Sequence, residues 1–198
     1  MSKSRAQKKA ETSAQLIAAA RKSFFKVGYA ETSMDKLCAS VGVTRGALYH
    51  NFGGKEGLFE AVVREIDHEM GERLLEIGGD DTSLEAFVKV CRAYLTFALE
   101  PEIQRIVFKD APSVLGQRLR DIDAQSSLDP LTEAIADLIN RKIFSDVNPQ
   151  ALAVLLNGAM IDAALWIASQ PDKDSSFNSA ANALEQIIRQ LAINHKQD

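Results

Sequence analysis

Residues 32–59 read TSMDKLCASVGVTRGALYHNFGGKEGLF, and this stretch decides the fold. Thr32 and Ser33 can each accept a hydrogen bond from the unpaired N–H groups of a helix's first turn, so a helix is expected over MDKLCASV. Gly42 interrupts it and supplies the positive φ that a tight interhelical turn requires. Thr44 then caps a short helix, RGALYHNF, which ends at Gly53-Gly54. Leu37, Val41, Val43 and Leu48 are placed to pack the two short helices against a preceding one, with Cys38 small enough for their crossing. A long helix follows from Lys55 to about Ile77, and Gly78-Gly79 stops it. Two short helices joined by a glycine turn form a helix-turn-helix scaffold, whose second helix is built to enter a major groove.

Upstream, Leu16, Ile17, Ala20, Phe24 and Val27 recur at helical spacing, which predicts a first helix from near Lys9 to about Val27. Gly28 supplies its left-handed C-terminal cap. Charge marks the same region. The whole chain carries a net −4, yet residues 1–55 hold ten Lys/Arg against three Asp/Glu, a local +7, and the remainder carries −11. A basic head on an acidic body is the electrostatic footprint of a module that binds nucleic acid beside a separate domain. Lys3, Arg5, Lys8 and Lys9 are either a solvated tail or an arm that reaches phosphates or the adjacent minor groove.

The second short helix presents a particular surface. Thr44 can cap it or bond a phosphate. Arg45 can meet a guanine edge bidentately or pair with a phosphate. Gly46 and Ala47 are small enough for close approach to the groove. Tyr49 and His50 lie near its end, placed for sugar, phosphate or a thymine methyl; Tyr49 can equally be a core aromatic, and His50 a solvated helix end. Thr32, Ser33 and Lys55 complete the expected DNA-binding set, Lys55 with the dipole of the fourth helix behind it.

The longer stretch GYAETSMDKLCASVGVTRGALYHNFGGKEGLFEAV resembles the N-terminal signature of the TetR (tetracycline-repressor-like) family. The resemblance rests on Gly28-Tyr29, Thr32-Ser33, Gly42-Val43, Gly46, Leu48-Tyr49, Phe52 and Lys55. Cys38 departs from the commonest pattern, as do Gly53-Gly54 where a polar cap is usual. The resemblance implies an all-α protein of about nine helices: a helix-turn-helix DNA-binding domain (residues 1–55) joined through the long fourth helix to a helical ligand-binding and dimerisation domain (residues 56–198). It also implies a repressor that binds a palindromic operator in double-stranded DNA as a homodimer and is released by a small molecule. The fourth helix, shared by both parts, would transmit the ligand signal.

The rest of the chain reads as helices over about 83–99, 101–109, 118–123, 130–144, 149–169 and 176–194, with DAPSVLG (110–116) a break. Asn148-Pro149 is a cap followed by proline at the first helical position. The 149–169 helix carries Leu152, Leu155, Leu156, Ala159, Met160, Ala163, Trp166 and Ile167. The last helix carries Ala180, Ala183, Leu184, Ile187, Ile188 and Leu191. Both apolar stripes are wide, as packing on a symmetry mate requires, although each could face its own core. Phe87, Cys91, Tyr94, Phe97 and Phe108, closed from the other side by Met160 and Trp166, are the candidate lining of a pocket for a small apolar or aromatic effector; the alternative is plain core. Arg92, Arg105, Asn157 and Asp162 are the polar candidates for orienting such a ligand.

Other classes find little purchase. Cys38 and Cys91 form no CxxC pair, and His50, His68 and His195 are scattered, so neither a metal site nor a disulfide framework is expected. No nucleophile elbow, phosphate loop or HExxH occurs, so no catalytic residues and no cofactor are expected. The N-terminus lacks the apolar stretch of a secretory signal, and the expectation is a cytoplasmic protein with no membrane partner. The rival readings are a helical module that binds protein, or a small helical enzyme, without DNA binding.

Overall fold

In a computed structural model, residues 4–193 are described, and apart from one antiparallel bridge between Phe144 and Ala192 their regular structure is helical. The segments are α1 (Arg5–Glu31), α2 (Met34–Ser40), α3 (Arg45–Phe52), α4 (Lys55–Gly78), α5 (Leu84–Thr96), α6 (Pro101–Ile103), α7 (Ala111–Leu115), α8 (Gln117–Asp123), α9 (Asp129–Asn140), α10 (Pro149–Ser169) and α11 (Lys173–Leu191). Wide π turns at Gln104–Asp110 and Ala124–Leu128 join α6 to α7 and α8 to α9. That leaves nine continuous helical runs among the described residues, as expected for an all-α chain.

The expected break at DAPSVLG is not there. The helix continues to Leu115 and stops only at Gly116, whose φ is +54°. Each π turn precedes a proline, Pro112 in α7 and Pro130 in α9. A proline ring strikes the carbonyl four residues back in a regular α-helix. Wider turns relieve that clash, so the run bends its hydrogen-bond pattern instead of ending.

Boundaries elsewhere follow the caps. α1 begins a turn before Lys9 because Ser4 and Gln7 form a reciprocal capping box: the Ser4 hydroxyl accepts from Gln7 N, and Gln7 Oε1 accepts from Ser4 N at 2.8 Å. Lys8 and Lys9 therefore lie exposed on the first turns of α1, whereas Lys3 lies outside the described residues. Gly28 leaves helical geometry at φ +82°, which closes the regular part of α1 at Val27. Asp172 accepts from Ser175 N and starts α11 at Lys173, earlier than expected. Its expected end at Asn194 lies outside the described residues.

The chain forms two compact units. The first extends from the N-terminus to Ile66 and also includes Arg105–Leu119. Leu16, Ala20 and Phe24 of α1, Leu37 and Cys38 of α2, and Leu48 of α3 are buried in it. So are Leu58, Phe59, Val62 and Val63 of α4, with Ile106, Phe108 and Ala111 from the second segment. Phe59 meets Phe24 edge-on at 4.9 Å and Tyr29 at 4.9 Å. The second unit holds Asp67–Gln104 and the chain from Arg120 onward, with Tyr94, Leu95, Phe97, Ile135, Leu138, Phe144, Met160, Ile167, Leu184 and Ile188 in its core. α4 gives its first half to one unit and its second half to the other.

Candidate nucleic-acid interface

The helix-turn-helix is assembled from local chemistry. Ser33 Oγ accepts from Lys36 N and starts α2; Thr44 Oγ1 accepts from Ala47 N at 3.2 Å and starts α3. Between them Gly42 takes φ +68°, and Val43 N closes the turn on Cys38 O at 3.0 Å. α3 ends on Gly53 at φ +73°, whose N–H donates to Tyr49 O. Gly54, at φ +131°, is buried beneath the ring of Tyr49, 3.2 Å from where a Cβ would sit. Gly54 is thus a tight seat for an aromatic ring, while Gly53 is the left-handed cap of α3.

This arrangement leaves Thr44, Arg45, Gly46, Tyr49 and His50 exposed along one short helix, with Ala47 and Ser33 half-buried beside them. Tyr49 covers Gly54 and still keeps 50% of its surface open, so it is not a core aromatic. Arg45 is held from two sides. Its guanidinium stands 3.2 Å from the Asp35 carboxylate of α2, with Tyr49 one turn on in α3; both neighbours raise its already high pKa. An exposed pair of this kind adds little stability, but it limits where the guanidinium points.

Two expected members have other occupations. Thr32 is 3% exposed; its hydroxyl donates to Gly28 O at 2.8 Å and contacts Ser23 Oγ at 3.1 Å. Of the two possible caps, Ser33 faces the helix end while Thr32 turns inward to the exit of α1, which removes its side chain from any DNA surface. Lys55 reaches back to Ala30 O at 2.9 Å, with its ammonium 4.7 Å from the Tyr29 ring. Burial lowers its pKa, opposed by Glu31. Those bonds engage the ammonium within the unit.

Two residues that the sequence did not single out, and Arg105 in a role other than the expected one, complete the unit. At Gly57, in the first turn of α4, a Cβ would collide with the Phe52 carbonyl oxygen, so only glycine lets α4 start this close to the end of α3. Asp110 accepts from Tyr29 N at 2.8 Å, and Arg105 donates to Val27 O at 3.2 Å and lies where a Cβ on Gly28 would be. The segment Arg105–Leu119 is therefore fastened to the end of α1. These contacts join residues distant in sequence or depend on backbone approach, so no local pattern marks them.

The second unit contains a cavity of about 320 Å³. α4 lines it with Gly71, Leu74, Leu75 and Gly78, α5 with Phe87, Val90, Cys91 and Tyr94, α9 with Pro130, Leu131 and Ala134, and α10 with Asn157 and Met160. Of the expected lining, Phe87, Cys91, Tyr94 and Met160 are brought together. Phe97 is not among the lining: α5 tightens into a 3-10 turn at Phe97–Leu99, and the ring is buried beneath the Arg73 guanidinium. Phe108 is buried in the first unit, and Trp166 is 46% exposed on α10. Of the polar candidates, Asn157 lines the cavity. Arg92 pairs with Glu185 at 2.7 Å, Arg105 serves the first unit and Asp162 is exposed. Burial pushes the Cys91 thiol to about 12 and raises the Tyr94 hydroxyl well above its ordinary range.

Residues 16–62 match the family described as bacterial regulatory proteins, tetR family, and residues 84–191 match the tetracyclin repressor-like C-terminal domain. The chain belongs to the TetR family of transcriptional regulators. It is similar to a TetR-family transcriptional regulator from Pectobacterium atrosepticum, at 45% identity and a TM-score of 0.86, covering 97% of this chain and 99% of that one. It is 41% identical over 64 residues to the HTH-type transcriptional regulator TtgR of Pseudomonas putida, a match to 32% of this chain and 30% of that protein. With AcrR of Shigella flexneri it shares 25% identity over 170 residues, 80% of this chain and 79% of that protein. The match spans only about a third of the length of the first curated relatives, ArpR (35%) and TtgR (30%), both from Pseudomonas putida.

In this TetR-family chain, α10 is unusually apolar for its exposure. It is long and apolar enough to cross a membrane, yet only 33% of its most apolar stretch is buried. Val154, Leu155 and Trp166 are 52%, 70% and 46% exposed, and Ile187 of α11 is 55% exposed. Each expected stripe divides: Leu156, Met160, Ile167, Leu184 and Ile188 face the unit's own core, Leu155, Ala159, Trp166, Ala183 and Ile187 face outward, and Leu152, Ala163, Ala180 and Leu191 are half-buried between them.

Proposed function

We propose that this TetR-family chain is a cytoplasmic repressor that binds a palindromic operator as a homodimer and is released by a small apolar ligand. The observation that carries the DNA contact is the exposed row on α3, with Arg45 held between Asp35 and Tyr49 on a head of local charge +7. Arg45 reads a base edge, Thr44, Tyr49 and His50 contact backbone, and Gly46 and Ala47 permit close approach. Lys55 acts indirectly, by tying the start of α4 to the end of α1.

Dimerisation through α10 and α11 accounts for the outward apolar face. A palindrome needs a second head, and leaving large side chains such as Leu155 in water forfeits about 1.5–3 kcal/mol each. The cavity of the second unit is the effector site, and α4, which contributes to both units, links its occupancy to the spacing of the two heads. That spacing must match successive major grooves about 34 Å apart.

Footprinting upstream of the protein's own coding region, followed by fluorescence anisotropy on the protected site, tests the proposal. Affinity should fall steeply with salt, and Arg45→Ala should flatten base preference. Wild-type discrimination by Arg45→Ala would remove Arg45 as the reader. An absence of salt-dependent binding would favour a protein-binding module.

A further inference from the structure

Helix α4 contains Gly57, Gly71 and Gly78, and each weakens the helix relative to alanine. Two of them have a steric reason within the protein. A Cβ on Gly57 would collide with the Phe52 carbonyl oxygen, and one on Gly78, the last residue of the helix, would stand 3.2 Å from Val90 Cγ2. Gly71 has no such reason. Among the described residues, no side chain, and no backbone beyond its own turns of helix, comes within 4 Å of a Cβ built there. The space its side chain would take is open, and Gly71 lines the cavity of the second unit.

Helical spacing shows which way that open space faces. Successive residues turn by about 100° around the helix axis. Of the α4 residues on the cavity wall, Leu74 therefore lies about 60° to one side of Gly71 and Leu75 about 40° to the other, with Gly78 about 20° away two turns on. The missing side chain would project from the middle of the lining face, where bare backbone lets a ligand approach most closely. Phe87, Cys91 and Leu131 continue the apolar wall on α5 and α9. The cavity volume of about 320 Å³ is about twice the roughly 150 Å³ of an apolar protein cavity that holds one benzene ring.

We infer that Gly71 is the specificity-determining residue of the cavity: by leaving the backbone of α4 bare, it admits a lipophile of two-ring size whose body lies against the helix there. The inference rests on the reading of this cavity as the effector site, and it adds the size class of the ligand and the residue that sets it.

Two probes carry the same hydroxyl on different bodies: 2-naphthol with two rings and 4-methylphenol with one. Each is titrated into the full-length protein by calorimetry, with no DNA present. The unaltered protein should bind 2-naphthol roughly tenfold to a hundredfold more tightly. Gly71→Ala should weaken 2-naphthol roughly tenfold, leave 4-methylphenol within about twofold, and raise Tm, since the methyl group enters open space and favours the helix. Gly71→Leu should lose 2-naphthol, keep 4-methylphenol and sediment like the wild type; if it does not fold, Gly71→Ala carries the comparison. Leu131→Trp, which fills the cavity from α9, should abolish binding of both probes. Several results would overturn the inference while leaving the effector cavity standing: 2-naphthol binding unchanged in both Gly71 variants but lost in Leu131→Trp, equal affinity of the two probes in the unaltered protein, or a Gly71→Ala protein that melts lower. A Gly71→Leu protein that loses its dimer would place the partner copy over Gly71 and overturn it as well. Binding that survives Leu131→Trp, or no binding of either probe, would overturn the cavity reading and the inference together.

Discussion

Replacing Gly57 by alanine tests whether the contact between α3 and α4 sets the position of α3, the helix proposed to read DNA. Alanine in a helix interior normally stabilises by about 0.5–1 kcal/mol relative to glycine. At Gly57 the added Cβ collides with the Phe52 carbonyl oxygen and stands 3.0 Å from the carbonyl carbon behind it. This is rigid backbone at the end of α3, so the helix must retreat by roughly 1 Å, an overpacking strain of about 1–3 kcal/mol. The net is a loss of about 1–2 kcal/mol, or roughly 2–8 °C in Tm for a chain of this length. Gly71, in the same helix, has no atom within 4 Å of a built Cβ, so Gly71→Ala should gain about 0.5–1 kcal/mol. Differential scanning calorimetry of both variants at one fixed protein concentration measures the contrast, since a dimer's Tm depends on concentration. Anisotropy on the footprinted operator should show Gly57→Ala at least about fivefold weaker, because Arg45 and Tyr49 move with α3. A Gly57→Ala protein that melts at or above the wild type would refute the reasoning.

Leu155→Glu places a charge on the most exposed apolar position of α10 and should shift the protein from dimer to monomer in sedimentation velocity. An unchanged dimer would move the interface elsewhere. With the Cys91 pKa near 12 and the Cys38 thiol also raised by burial, both thiols should resist Ellman's reagent at pH 8 in the native protein. Both should react once guanidinium unfolds it; rapid native labelling of either would contradict its burial. Hydrogen bonds from Arg189 hold the Glu85 and Glu185 carboxyls below their ordinary range. Their contribution to stability is present above the unfolded carboxylate pKa of about 4.3 and is lost as pH falls through the lower folded values. Tm against pH should therefore drop less steeply on the acid side in Arg189→Leu than in the wild type, and parallel curves would show that the ion pairs contribute nothing.

The helix-turn-helix was legible in the sequence because the interactions that build it are local. Ser33, Gly42, Thr44 and Gly53 act within a few residues of themselves through caps and positive φ, so their order along the chain specifies the turn. The all-helical class and the charge split were legible for the same reason, being sums over neighbours. Local chemistry also sets the boundaries that differ: Ser4 and Asp172 are caps of an ordinary kind, each lying ahead of the apolar periodicity that marks its helix.

Tertiary structure decided which face each residue turns. Thr32 and Ser33 are equally good caps on paper, and only the exit path of α1 buries one of them. Phe97, Phe108 and Trp166 share the aromatic character of Phe87, but a 3-10 turn, membership of the other unit and an outward helix face take them away from the cavity. Asp110, far along the chain from Tyr29, and the cavity wall formed by α4 depend on long-range packing, which carries no periodic mark in the sequence. The DNA-reading head is thus written in local code. The cavity, with Asn157 on its wall, exists only where α4, α5, α9 and α10 are brought together.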